Sequence, residues 1–439
     1  MKIKQFTNLL LTFLLATCIS CAQTKPKDLL SQLGEIPDVS VKKIAGDTTF
    51  AAYYELYFTQ DLDHENPKAG TFQQRVLLGH HSFNQPVVVQ LEGYKIWSEK
   101  AGELSKLLHA NQLTIEHRYF KNSMPDSLDW QYLNIKQAAA DQHMIIQAIQ
   151  KIYPEKWLST GISKGGQTTI FHRYFYPDDV DVSVPYVAPL NLTREDKRIH
   201  QHLASIGSKE TRNQIYQFQL ACFESKEKLL PLAQTYAKEK NFSFSMGLKK
   251  ALDLSILEYP FAYWQWGGVD SIPGKNANSQ ELFDHLFKVS SIDFFDVGNI
   301  KELLAFYQQA LSEIGMYSYE TAPFKQYLND KKDITFDFTF PNEPTRKFDA
   351  SSMIKINHWL QTDAERMLFI YGEYDTWSAT AVNLNGNKKC KKFVNPKGSH
   401  RSRIKSFPPE MKKEIVHTLE KWMDVKRTVQ NKKALKNSQ

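Results

Sequence analysis

Cysteine is scarce in this chain, with four in 439 residues. Cys18 and Cys21 fall in the first two dozen positions, leaving Cys222 and Cys390 for the rest. Two cysteines this far apart supply no disulfide framework, so an apolar core has to hold the fold. The pair could bridge in an oxidising compartment, but nothing in the sequence brings them together, and two buried thiols are expected. Beyond that leading stretch, where Cys18-Ile19-Ser20-Cys21 falls, CxxC, HExxH and His/Cys clusters at ligand spacing are missing, so no metal and no other cofactor is expected. Net charge is a mild +7, and no basic stripe interleaves with aromatics, which removes the electrostatic footprint of a nucleic-acid binder. Internal repeats and low-complexity segments are absent, and no pattern sets an oligomeric state. The apolar run at 9–16 is too short to span a bilayer.

That run has another reading. Lys2 and Lys4 precede it and small residues follow, which is the layout of an export signal. Two cuts compete. One lies before Cys21, with Ile19-Ser20 as the lipobox and Cys21 as the lipid-bearing first residue; the other lies after Ala22. The expected location is therefore periplasmic or cell-surface as a lipoprotein, or secreted, and any membrane contact is through that anchor. Losing Lys2 and Lys4 lowers the formal charge from +7 to +5. At the far end, 426–439 is a basic stretch nearly devoid of apolar residues, expected as a solvated tail.

With 42% hydrophobic residues, the remainder can bury a large core. The stretch Gly161-Ile162-Ser163-Lys164-Gly165-Gly166 has the GxSxG form of a nucleophile elbow, in which a strand turns sharply into a helix and lifts a serine above the sheet edge. Its setting fits: helical periodicity over 133–153 with Ile145, Ile149 and Ile152 on one stripe, a β-compatible run at 156–162, then helical composition over 167–176 stopping at Pro177-Asp178. Ser163 is the expected nucleophile.

Strands are expected at 51–58, 75–79, 87–91, 113–115, 182–187, 367–371 and 391–394, with helices at 102–108 and 409–425. The strand 87–91 ends at Glu92-Gly93-Tyr94, where an α/β hydrolase takes one oxyanion amide; the other comes from the residue after the nucleophile, Lys164. Gly372-Glu373-Tyr374-Asp375 follows a late strand, and Asp375 is preferred to Glu373 as the acid that orients a histidine. His400 is delivered on the flexible Asn395-Pro396-Lys397-Gly398-Ser399 loop. The order Ser163, Asp375, His400 belongs to an α/β hydrolase. Between the late strands the character changes to long helical patterns dense in aromatics. The expected fold is α/β, an α/β-hydrolase with a large helical cap: 1–21 signal and lipobox, 22–194 first part of the core, 195–360 cap, 361–425 second part, 426–439 tail. Most cap aromatics are expected in the core; Trp264 and Trp266, beside Gly267-Gly268, are candidates for lining a pocket. Glu116-His117-Arg118 is read as an ion-pair network shaping the site, with substrate contact as the alternative.

Five motifs now stand in order: Leu91-Glu92-Gly93; Glu116-His117-Arg118-Tyr119-Phe120 with Ser123-Met124-Pro125; the elbow; Tyr371-Gly372 with Asp375-Thr376-Trp377-Ser378; and Gly398-Ser399-His400. Together they resemble serine exopeptidases of the prolyl carboxypeptidase type and, closer in overall layout, the related bacterial secreted tripeptidyl-aminopeptidases. The likeness spans 51–425. It implies a capped α/β hydrolase that removes di- or tripeptides from peptide N-termini, often with proline beside the cut. Leu91, Lys164 and Thr376 depart from the family pattern; Lys164 leaves the oxyanion donor intact, because that donor is backbone, but alters the polarity beside it.

Glu92 is the candidate for binding a free α-amino group, the alternative being a structural acid paired with Arg118 or a nearby lysine. Two other functions remain open on the residues alone. An esterase would share the triad without needing an amine anchor, and a surface lipoprotein that binds peptides or glycans would have a silent site.

Overall fold

The computed structural model describes residues 28–268, 271–329 and 332–424. The expected signal, Cys21 and the basic tail lie outside these residues. Nine strands build one sheet: β1 (Val39–Ile44), β2 (Ala52–Asp61), β3 (Thr71–His80), β4 (Val87–Leu91), β5 (Asn111–Ile115), β6 (Trp157–Ile162), β7 (Val182–Tyr186), β8 (Leu368–Gly372) and β9 (Lys391–Asn395). Their spatial order is β1-β2-β3-β5-β4-β6-β7-β8-β9. β1, β2 and β3 pair antiparallel, β3 meets β5 antiparallel, and all pairings from β5 to β9 are parallel.

The burial patterns follow from that layout. β5, β7 and β8 are buried at every position, as parallel strands covered on both faces must be, whereas β1 alternates half-buried and exposed residues at the sheet edge. Along β4, Val87, Val89 and Leu91 face one core layer while Val88 faces the other. The first layer is closed by Ile145, Ile146 and Ile149 of helix α1 (Ile135–Gln150), and the second by Ile415, Leu419 and Met423 of the last helix (Pro409–Met423). Each such side chain contributes roughly 1.5–3 kcal/mol through burial. β1, absent from the expected strands, carries Lys42 and Lys43 on a half-exposed edge, so it lacks a strong apolar signature.

The strand order reverses between β4 and β6, since β5 lies on one side of β4 and β6 on the other. The crevice above the carboxyl ends at such a switch point is where open α/β sheets bind ligands. Glu92-Gly93 leaves the end of β4 and Ser163 leaves the end of β6.

The segment 187–367, between β7 and β8, is largely helical. Its central element is helix α2 (Leu248–Trp266), buried along most of its length. Pro260 inside it cannot bond the carbonyl of Ile256, and the Gln219 side chain supplies that missing donor at 2.7 Å. Phe218, Phe223, Tyr259, Phe261, Tyr263 and Trp264 are core residues here. The helix Ser351–Thr362 straddles the boundary drawn at 360. Its Trp359 ring packs edge-on against Tyr174 of the helix Lys164–Phe175, 5.5 Å between centroids, which ties it to the sheet side. Cys222 and Cys390 are buried and free. Among the described residues, no helix is long and apolar enough to cross a membrane.

Candidate active site

Ser163 stands between β6 and helix α3 (Lys164–Phe175), at φ 59° and ψ −121°. A side-chain-bearing residue holds this strained conformation only where its surroundings impose it. The neighbouring glycines show how they do. A Cβ on Gly161 would lie 2.1 Å from the Gly165 carbonyl oxygen, and one on Gly166 would lie 2.7 Å from Ala188 Cβ. The strand and helix therefore cross at a distance that admits hydrogen alone. This close crossing raises the serine above the sheet, and the Ser163 amide donates to the Tyr186 carbonyl at 2.9 Å to fix it.

Asp375 and His400 come from the ends of β8 and β9. The two loops are locked together: Tyr374 N–H donates to the Gly398 carbonyl at 2.7 Å, and a Cβ on Gly372 would strike that same oxygen. His400 Nδ1 lies 2.8 Å from Asp375 Oδ2, and Trp377 N–H donates to Oδ1 at 3.1 Å. Asp375 is fully buried. An ionised carboxylate only accepts, so the proton sits on Nδ1 and Nε2 is left to accept from a nucleophile. Glu373 instead turns outward and caps the Lys397 amide. His117 bonds the Arg118 carbonyl and is held far below the usual imidazole range by burial and by Lys164; His172 is engaged by Asp179.

Ser163 and His400 share one cleft of about 790 Å³ between the sheet and the helical segment. Its walls include Glu92, Glu258, Trp266 and Trp377. The amide of Lys164 opens α3, where the first N–H groups have no intrahelical acceptor and the helix end is electropositive. The loop after β4 runs directly over it: a Cβ on Gly93 would sit 2.5 Å from the Lys164 carbonyl carbon. The Lys164 side chain, 3% exposed, folds back and donates to the Gly93 carbonyl at 2.7 Å, beneath the rings of Tyr94 and Phe120. Burial lowers its pKa to about 7. Its effect is thus to tie the loop after β4 to the start of this helix.

Glu92 lines the cleft and its carboxylate accepts from the Gln90 amide at 2.8 Å. Burial pushes its pKa up to about 7. Pairing with Arg118, one alternative read from the sequence, does not occur. That guanidinium, fully buried, makes two 2.7 Å bonds to Asp141 and donates to the carbonyls of Leu62, Tyr132 and Asp61. Glu116 accepts from the amides of Ile96 and Asn122 and from the Ser123 hydroxyl. The Glu116-His117-Arg118 cluster is structural, anchoring the strand end behind the cleft.

The two tryptophans separate. Trp266 lines the cleft with its ring edge-on to His400, 5.9 Å between centroids. Trp264 is a correction: it is 5% exposed and packs against Tyr263, Tyr374 and the backbone of Gly207, away from the cleft. The two are two residues apart on α2, so they project on opposite sides. Glu258 was missed by sequence reasoning. Its signal was present as a lone acid in the apolar run Leu254-Ser255-Ile256-Leu257-Glu258-Tyr259.

A family model described as PS-10 peptidase S37 matches residues 22–437. A prolyl tri/tetrapeptidyl aminopeptidase of Streptomyces mobaraensis is 28% identical over 423 residues, covering 93% of this chain and 88% of the relative. Among solved structures, a proline iminopeptidase of Mycobacterium smegmatis aligns at 12% identity and TM-score 0.45, covering 84% of this chain and 98% of its own. The peroxisomal α/β-hydrolase Lpx1 of Saccharomyces cerevisiae aligns at 13% identity and TM-score 0.39, covering 91% and 95%.

Proposed function

The chain belongs to the PS-10 peptidase S37 family and is a serine peptidase; from that premise we propose that Ser163, His400 and Asp375 carry the reaction and that it releases short peptides from free N-termini. The observation that carries this reading is the single cleft holding Ser163 and the His400–Asp375 pair beneath a helical cover. Ser163 Oγ attacks the scissile carbonyl while His400 Nε2 takes its proton. Asp375 stabilises the resulting imidazolium, which protonates the leaving amine. Water then attacks the acyl-enzyme by the same route in reverse. The Lys164 amide and an amide of the Gly93 loop receive the oxyanion, each donor contributing roughly 3 kcal/mol.

N-terminal action is supported by the buried carboxyls of the cleft, Glu92 and Glu258, either of which can pair with a substrate ammonium. Preference for proline beside the cut follows the name of the Streptomyces relative. Export, with Cys21 lipidated or the chain simply secreted, completes the proposal. The test is mass spectrometry of a mixed peptide library digested by the mature protein, with Ser163→Ala as control. Release of di- to tetrapeptides from free N-termini by the wild type alone supports the reading. An untouched library with a small ester still cleaved would replace it with an esterase.

A further inference from the structure

Two buried carboxyls in one cleft raise the question of which one reads the substrate amine, because their positions imply different product lengths. Glu92 is adjacent to Gly93, whose backbone abuts Lys164 and Gly165 at the elbow. An amine bound there would stand close to the elbow itself. Glu258 sits on α2, on the helix face that also carries Phe261, Ala262 and Gln265 to the cleft.

The lower end of α2 is bolted to the catalytic loops. His400 N–H donates to the Gln265 carbonyl at 2.9 Å, and Thr376, next to Asp375, donates its hydroxyl to the Phe261 carbonyl at 2.9 Å. Phe261 stacks on Tyr317 with 3.9 Å between centroids, and Trp377 packs edge-on against both. Glu258 in turn accepts from the Tyr317 hydroxyl at 2.8 Å. A continuous packed array therefore fixes the carboxyl relative to the base. Seven residues from Glu258 to Gln265, at 1.5 Å rise each, place it about 10 Å along the helix from the level of His400. Extended peptide advances about 3.3 Å per residue, so that gap holds about three residues.

We propose that Glu258 binds the α-ammonium of the substrate and that α2 acts as a ruler setting the released peptide at about three residues. This rests on the exopeptidase reading above and adds the residue that sets the length, a length the name of the Streptomyces relative gives for that protein as three or four residues. The chemistry fits: burial raises the Glu258 pKa to about 8. The titratable groups that bear on it are the phenols of Tyr307, Tyr317 and Tyr319, each itself pushed above its ordinary value. None of these is a cation, and an arriving ammonium supplies the missing charge.

The experiment compares di-, tri- and tetrapeptidyl p-nitroanilides, each with a free and an acetylated N-terminus, on the wild type, Glu258→Gln, Glu258→Asp and Glu92→Gln. Glutamine keeps the size and the bond to Tyr317, so the cap is preserved. The wild type is expected to favour the free tripeptidyl substrate. Glu258→Gln should lose about 30-fold or more of kcat/KM on it, mainly through KM, with acetylated substrates within about two-fold. Glu258→Asp should recover part of the loss, and Glu92→Gln should keep the free-amine preference. Equal losses on free and acetylated substrates, or loss of the preference in Glu92→Gln alone, overturn the assignment. A wild type that prefers free amines while Glu258→Gln does too overturns Glu258 only. A wild type indifferent to acetylation overturns the exopeptidase reading itself.

Discussion

If Glu258 meets an ammonium, the pH dependence of amine selectivity has a calculable shape. The quantity to follow is kcat/KM on a free-amine tripeptidyl substrate divided by that on its acetylated twin, since the Ser163–His400 chemistry is common to both and cancels. The productive pair is an ionised Glu258 with a protonated amine. Glu258 has its pKa raised to about 8, so below that pH the free enzyme carries it protonated, and binding an ammonium releases a proton. The ratio must rise with pH. The peptide α-amine, with a pKa of roughly 7.7–8.0, loses its proton over the same range and imposes a fall above it. Multiplying the two fractions gives a bell centred near pH 8, climbing about 20-fold from pH 6 and dropping about 30-fold by pH 10. The three facing tyrosines titrate above this window and leave the shape unaltered. Stopped initial rates across that range, with Glu258→Gln in parallel, measure it. A flat ratio in the wild type, a rise that continues to pH 10, or a bell that persists in Glu258→Gln would refute the reasoning.

Other substitutions probe the scaffold of the site. Lys164→Met removes the donor to the Gly93 carbonyl while keeping the bulk of the side chain; slackening one oxyanion donor should cut kcat about 10- to 100-fold with little change in KM, and steady-state kinetics showing unaltered kcat would contradict the support role. Asp141→Asn breaks a fully buried pair with Arg118 and leaves a guanidinium uncompensated, at about 3–5 kcal/mol; the urea midpoint should fall markedly, and a midpoint within error of the wild type would show that the network is dispensable.

What could be read from the chain was what is local. The elbow glycines, the apolar run of β4 and the acid and histidine loops each announce their conformation within a few residues, because steric limits and hydrophobic periodicity act at short range. Their order along the chain then sufficed for the α/β-hydrolase class. β1 escaped notice since an edge strand with one half-buried face has weak periodicity, and Trp264 was misplaced because helical phase was not resolved beside the Gly267 cap.

The contacts of Lys164, Arg118 and Glu258 were beyond sequence for a different reason. Lys164 points at a carbonyl 71 residues earlier, Arg118 at an acid 23 residues on, and Glu258 at a tyrosine 59 residues later. The sequence by itself determined the fold class, the sharp turn at Ser163 and the loops that carry Asp375 and His400. Tertiary structure alone decided which buried charges face the cleft that holds Ser163, since those positions arise from helices packing across the sheet and leave no trace in any short stretch of chain.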